Sequence, residues 1–555
     1  MKRFLFLLCA AAMMCVGCET DIITDTDITP ITDDDDNDNG GDTNSTTATV
    51  TIVFGNPSAT VDGTSATITA AVDGNQVTIT NAGNTVVRYE LSGSTANGFF
   101  KLYSSKKQTI VLNGVSITNP NGAAINIQGP ANSPNSGKKA TVIVQGDNAL
   151  ADGTSYSDTP AAEDEKAAFF SEGKLEFSGT GTLTVTAQGK SGIASDDYVY
   201  INGPTISVNS SAGHGIRGKD YIEVDSGTVN VTVSANMKKG FSADSLVRIN
   251  GGNITIQVSG NAAYDSDDQE YTGTAGIKAD ELFVMNGGSV SITNSGTGGK
   301  GISCDGPCTF NGGTVTVATT GSNHTTGDIS SKGIKCDGNL TFAGSKVFVT
   351  CRYHEGIESK GTITISDGEV YSYSQGDDAI NTASDFTITG GYVYGQSTAN
   401  DGLDANGNCY IRGGVVYAIG KQSPELAIDA NTEGGRKLYV EGGTIIAIGG
   451  LERGASLTQS CYQTSTWSKN TWYALTVGTT TYAFKTPSSG GTPMVVSGST
   501  TPTLTSGVTV SGGTSYFDGL LYTDATVSGG SAVTLSNYTG GNGGGPGGGG
   551  GHGGH

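Results

Sequence analysis

Three short stretches of this chain repeat one kind of chemistry at one interval. They read His354-Glu355-Gly356-Ile357-Glu358, Asp377-Asp378-Ala379-Ile380-Asn381 and Asn400-Asp401-Gly402-Leu403-Asp404, with Glu425 and Asp429 as a weaker fourth copy. Successive full copies lie 23 residues apart, and each supplies two or three oxygen ligands around an apolar residue. If the copies stack as neighbouring strands, like charges fall about 4.8 Å apart and repel by roughly 3–4 kcal/mol at an effective dielectric of 20. Such a carboxylate ladder calls for a cation. Calcium accepts six to eight oxygens in forgiving geometry, whereas magnesium demands a tight octahedron. The expected metal is therefore Ca2+, with Glu355, Glu358, Asp377, Asp378, Asn381, Asn400, Asp401, Asp404 and Asp429 as ligands. The alternative is a set of solvated turn residues on an acidic protein.

Two further columns change character in the same region. Phe348, Tyr371, Tyr394 and Tyr417 are also 23 residues apart, and strand alternation sets them opposite the inward Val347, Val370, Val393 and Val416. Four outward rings in register would make an exposed apolar strip of the kind that marks a ligand surface, and sugar faces stack on such rings. The competing reading is a ladder of rings bracing one another or packing under the C-terminal segment. Upstream, the positions flanking each apolar anchor carry His214, Lys239, Lys300 and Lys332, and Arg217, Lys278 and Lys335. A face running from these cations to bound calcium, with Lys332 and Lys335 beside the rings, suits an extended polymer of uronic acids.

The elements that must position these residues follow from the same rhythm. Anchors at Phe170, Ile193, Ile216, Phe241, Ile277, Ile302, Ile334, Ile357, Ile380, Leu403 and Ile428 recur at about 23 residues, with longer spacings of 36 and 32 where extra residues enter two turns. Each unit holds short alternating runs such as Tyr198-Val199-Tyr200-Ile201, cut by Asn-Gly or Gly-Gly, and no helical stretch. Period-two runs broken by glycine are strands and turns, and a repeat of this length indicates stacked units. The predicted fold is all-β: a single-stranded parallel β-helix over residues 48–450, with a β-rich C-terminal cap over 451–539 and a glycine-rich tail over 540–555. Cys304 and Cys336 share one small-residue column that should point inward. Free buried thiols are the default there, and a disulfide between them is admissible.

Composition narrows the function. The 555 residues include 86 glycines and carry a formal net charge of −22, which argues against nucleic acid as a partner. Lys2-Arg3 and the apolar run after them read as a signal segment over 1–18 that ends in a lipobox-like Cys15-Val16-Gly17-Cys18. Cys18 is the expected lipidation site, and an ordinary cleaved signal peptide is the alternative. The acidic, Asp-rich stretch over 19–47 reads as a solvated tether. Together these predict a lipid anchor in a bacterial outer membrane, with the body exposed at the cell surface.

From about Ala48 to Gly450 the chain resembles the calcium-containing, carbohydrate-binding β-helix family, whose members resemble pectate lyases in fold and bind cellulose or polygalacturonate. The resemblance rests on Val111-Leu112-Asn113-Gly114-Val115-Ser116-Ile117, Gly146-Asp147-Asn148, Asp152-Gly153, Gly192-Ile193-Ala194-Ser195 and Gly215-Ile216-Arg217-Gly218-Lys219-Asp220. It continues through Asp377-Asp378 and Asp401-Gly402-Leu403-Asp404. The family tends to place Asp before Gly-Ile, and here Ser191, His214 and Lys239 stand there instead, so the resemblance implies calcium only from Glu355 onward. It implies a polysaccharide-binding surface lipoprotein that does not cleave its ligand. Two other readings stay open: a calcium-dependent polysaccharide lyase, with Lys335 or Lys360 as base, and a structural adhesin or stalk.

Overall fold

The computed structural model describes residues 48–157 and 159–540. The signal segment with Cys18, the tether and the tail beyond Gly540 lie outside the described residues. Every regular element among those described is a β-strand, as the alternating runs and the glycine-cut turns require. Most of them pair in parallel within two large sheets of 28 and 14 strands.

The smaller of these sheets carries the anchor residues side by side. Phe169 pairs with Ile193, and the row continues through Ile216, Phe241, Ile277, Ile302, Ile334, Ile357, Ile380 and Leu403. Bridges carry it on to Ile428 and Leu451. The first anchor is thus Phe169 and not Phe170, which pairs with Ala194 and is buried in a separate small cluster with Ala167 and Ala194.

The glycine before each anchor has a steric cause. A Cβ on Gly192, Gly215, Gly240, Gly276, Gly301 or Gly333 would lie 2.2–2.3 Å from a methyl of Val208, Val231, Ile256, Ile292, Val317 or Val349 respectively. The small sheet therefore rests directly on the branched side chains of the large one, and any larger residue would push the two apart.

The large sheet corrects the expected architecture. Strands Tyr221–Val233, Leu246–Ile249, Leu282–Met285, Cys308–Phe310, Leu340–Cys351, Thr314–Thr319, Ser289–Asn294 and Asn253–Val258 pair in that order, and the last returns to the first. All eight pairings are parallel, so the hydrogen bonding closes into an eight-stranded parallel barrel within a multi-sheet protein. The single-stranded parallel β-helix built from separate short strands is not what forms. The physical reason lies at the glycine corners. The sequence reading ends a strand at each, whereas the chain runs through Gly227 (φ 101°) and Gly344 (φ 149°) and keeps pairing on both sides. The resulting strands of 13 and 12 residues belong to both flanking ladders and join them, and register shifts at Ile201/Asn202 and Phe342/Ala343 mark the bends.

After Ser456–Leu457, which still pairs in parallel with Leu438–Val440, the chain turns antiparallel. Met494–Ser497 pairs antiparallel with Thr444–Ile448. A six-stranded antiparallel sheet, from Trp472–Val477 to Thr526–Val533, packs Tyr473, Leu475, Phe484, Phe517 and Leu521 against Tyr394, Tyr417, Ile446 and Ile448. The six described cysteines are free and buried; Cys304 and Cys336 are lateral partners without a bond between them.

Candidate cation and glycan site

The acidic copies line one edge of the anchor sheet, because Glu358, Asn381 and Asp404 pair laterally in strands Ile357–Ser359, Ile380–Thr382 and Leu403–Ala405. The nine expected ligands nevertheless divide into two groups with different partners. In the upstream group the protein supplies its own cations. Lys332 Nζ lies 3.2 Å from Glu355 and 2.5 Å from Glu358, and Lys360 Nζ lies 2.5 Å from the other oxygen of Glu358. His354 hydrogen-bonds Glu355 and sits 3.3 Å from Asp377. Burial alone would raise the Glu355 carboxyl, but the His354 hydrogen bond and the Lys332 charge outweigh it and bring it down to about 2. Glu355 and Glu358 are thereby paired with basic side chains, although one ligand atom each from His354, Glu355 and Asp377 also lie within 4.8 Å of one another.

The downstream group behaves differently. One carboxylate oxygen each from Asp401, Asp404 and Asp429 fall within 4.8 Å of one another. Oxygens bound to a single calcium at 2.3–2.6 Å can be at most about 5 Å apart, so the spacing fits one ion. Asp378 adjoins the group: its oxygens accept from the Asp401 backbone N–H at 2.9 Å and from Asn381 Nδ2 at 3.1 Å. Asp377 accepts from Asn400 Nδ2 at 2.9 Å. Burial first, then the charges of Asp404, Asp377 and Asp401, hold the Asp378 carboxyl well above the usual range. Burial likewise pushes Asp401 up to about 8, aided by Asp404, Glu425 and Glu452 and opposed by the Leu426 N–H. Asp429 is pushed up to about 11 by burial and by its hydrogen bond to Glu452. The charges that act most strongly on Asp401 and Asp429 are those of other carboxylates. The donor set is all oxygen and acidic, which suits a hard divalent cation.

Glu452 is a member of this group that the sequence reading missed. It follows Leu451, which continues the anchor row after Ile428, and it stands 23 residues beyond Asp429. The signal lies in the same 23-residue spacing, just past the Gly450 limit of the predicted solenoid.

The expected binding surfaces need correction. Tyr394 and Tyr417 are buried under the C-terminal sheet: Tyr394 lies 5.4 Å from the Phe517 ring, and Tyr417 donates its hydroxyl to the Lys485 carbonyl at 2.8 Å. Tyr371 stacks on Tyr394 at 4.8 Å, and Phe348 on Tyr371 at 5.7 Å, both half-buried. The four rings are thus a packing column, and the two most buried cannot meet a glycan. Nor is the cationic face open. Lys332 is buried between its glutamates, Lys335 pairs with Asp337 at 2.5 Å, Lys278 with Asp280 and Asp305, and Arg217 with Asp244. Lys239 and Lys300, pushed down to about 8 by burial and by neighbouring lysines, are the exceptions to this pairing with acids.

Residues 73–236, 231–323 and 296–379 match the family described as carbohydrate-binding domain-containing protein, a run that covers more than half of the 555 residues. No curated protein matches the chain. Among solved structures, the polysaccharide lyase-like protein from C. thermocellum, determined as a gadolinium derivative, aligns with a TM-score of 0.38 at 23% identity. That alignment covers 47% of this chain and 96% of the other.

Proposed function

This chain belongs to the carbohydrate-binding domain-containing proteins, and from that premise we propose that it binds an extended polysaccharide, rich in uronic acids, with the help of calcium. The observation that carries the reading is the convergence of one carboxylate oxygen each from Asp401, Asp404 and Asp429 within 4.8 Å of one another. Calcium held there would offer its remaining coordination positions to carboxylate and hydroxyl oxygens of a glycan. Asp378, through its bond to the Asp401 N–H, positions that turn.

Binding without cleavage is supported by the lysines. A base must be within reach of the proton it removes and free of it beforehand. Lys335 and Lys360, the bases expected for a lyase, are each engaged by a carboxylate at 2.5 Å. The Cys15-Val16-Gly17-Cys18 end of the leader supports lipidation at Cys18 and display on a bacterial outer membrane, and loss of palmitate labelling in Cys18→Ala is the corresponding check.

The decisive experiment follows polygalacturonate binding and thermal stability with calcium and with chelator, while ultraviolet absorbance is monitored for an unsaturated product. We expect binding and a raised melting temperature with calcium, both lost in Asp401→Asn/Asp404→Asn, and no absorbance change. Equal binding with and without chelator would remove calcium from the reading, and rising absorbance would make the protein a lyase.

A further inference from the structure

The two turns that lengthen the repeat carry a feature outside the acidic edge. The first insertion folds as an antiparallel hairpin, Ala263–Asp265 with Glu270–Thr272, in which Tyr264 and Tyr271 stand directly opposite each other. Their rings meet edge to face at 5.3 Å. The second insertion is closed by a bridge between His324 and Ile329, and the His324 ring packs 5.2 Å from Tyr271. Gly327 lies so close to Tyr271 that a Cβ there would come within 2.4 Å of it. Asn323 then ties this loop to the next turn by donating Nδ2 to the Tyr353 carbonyl at 3.3 Å, and the Arg352 guanidinium covers one side of the Tyr353 ring at 5.3 Å.

The two insertions thus present Tyr264, Tyr271 and His324 together, and the Asn323 bond holds the Tyr353 backbone beside the second of them. Tyr264 is 52%, Tyr271 37% and Tyr353 38% exposed, and with Val53 and Val72 they make up the exposed large apolar side chains among the described residues. Exposed tyrosines held by packing at their bases are rigid, amphipathic contact area at low entropic cost. His324 accepts the Gly327 N–H at Nδ1, at 3.1 Å, which places its ring proton on Nε2 as a donor.

We propose that this tyrosine platform is a second glycan site, separate from the acidic cluster, and that it takes a neutral, flat-faced chain such as a β-1,4-linked glucan. The inference rests on the carbohydrate-binding reading but not on calcium. The occupant follows from three observations. All four rings fall within the segments that match the carbohydrate-binding family, which end at residue 379 and so before Asp401. Equatorially substituted hexoses present C–H faces that stack on tyrosine, with hydroxyls at their rims. The hairpin tip bears Asp265, Asp267, Asp268 and Glu270, which accept from sugar hydroxyls and repel a polyuronate.

The test is affinity electrophoresis of the full chain in gels containing hydroxyethyl cellulose or, in parallel, polygalacturonate with calcium. Wild-type protein should be retarded by the neutral glucan, with chelator making no difference. Tyr264→Ala and Tyr353→Ala, at exposed positions, should each weaken that retardation about tenfold, equivalent to about 1.4 kcal/mol, while leaving circular dichroism and polygalacturonate binding unchanged. Tyr271→Phe, which keeps the ring, should bind as wild type. Retardation by polygalacturonate alone overturns the platform and leaves the calcium reading standing. Glucan binding indifferent to the alanine substitutions also overturns it, and binding to neither polymer sinks both readings.

Discussion

Replacing Lys332 with Met isolates the charge arrangement on which the division of the acidic edge depends. The side chain lies 3.2 Å from Glu355 and 2.5 Å from Glu358, which at an effective dielectric of 20 corresponds to gross attractions of about 5 and 7 kcal/mol. Most of that is offset by the cost of burying the three charges, and breaking such an arrangement from one side costs about 3–5 kcal/mol. A second route gives the same size. Glu358 keeps Lys360 and Glu355 keeps only its His354 bond, so Glu355 bears the loss, and protonating one carboxyl of ordinary pKa near 4.5 at pH 7 costs about 3 kcal/mol. The pH dependence has a definite sign. In the wild type the Glu355 carboxyl is held at about 2, so its contribution is complete above about 4.5 and is lost as pH falls toward 2. In the variant the Lys332 charge is gone and only His354 opposes burial, so that carboxyl rises and its protonation relieves the folded state as pH drops. Urea unfolding followed by circular dichroism should show a deficit of about 3–5 kcal/mol at pH 7 that shrinks to about 1 kcal/mol at pH 5. Adding Glu355→Gln should restore most of the loss. A deficit below about 1 kcal/mol at pH 7, or one equal at both pH values, would refute the reasoning.

Gly276→Ala should cost about 1–3 kcal/mol, since the new methyl would meet Ile292 Cγ2 at 2.3 Å and the Gly301 carbonyl at 2.8 Å, whereas Gly55→Ala, with nothing within 4 Å, should be neutral in the same denaturation assay. Tyr417→Ala should destabilise by about 3–5 kcal/mol while glycan affinity of the folded fraction stays unchanged, the reverse of what an exposed sugar-stacking ring would give. The six described cysteines should be silent to a thiol reagent in the native protein and react only after unfolding, with no mobility change on reduction.

Much of the lateral arrangement could be read from residue spacing. Alternating runs cut by glycine gave strands, and anchors such as Ile193, Ile216 and Ile357 lie beside their 23-residue relatives because a lateral neighbour must present a side chain of the same kind to the shared core. What spacing could not reveal is whether a glycine ends a strand or bends it. At Gly227 and Gly344 it bends, and the closed barrel follows from that local choice. Phe169 and Phe170 are both apolar and adjacent, and only pairing separates them. The alternation that set Tyr394 and Tyr417 away from the core held no information about the later sheet that covers them. Column charge located the acidic edge, but pairing of Lys332 with Glu355 and Glu358 depends on side-chain reach between strands, which identity alone does not specify.

The covering of Tyr394, Tyr417, Ile446 and Ile448 by residues from Tyr473 to Leu521 has a consequence for the order in which the chain matures. Emerging from its N-terminus, the polypeptide completes the parallel stack while this adhesive aromatic flank is still bare, and it stays bare until the last hundred or so residues arrive. Proteolysis or truncation between Gly450 and Trp472 would therefore leave a molecule that self-associates rather than a smaller soluble binder, and a holdase would find its footing on that flank.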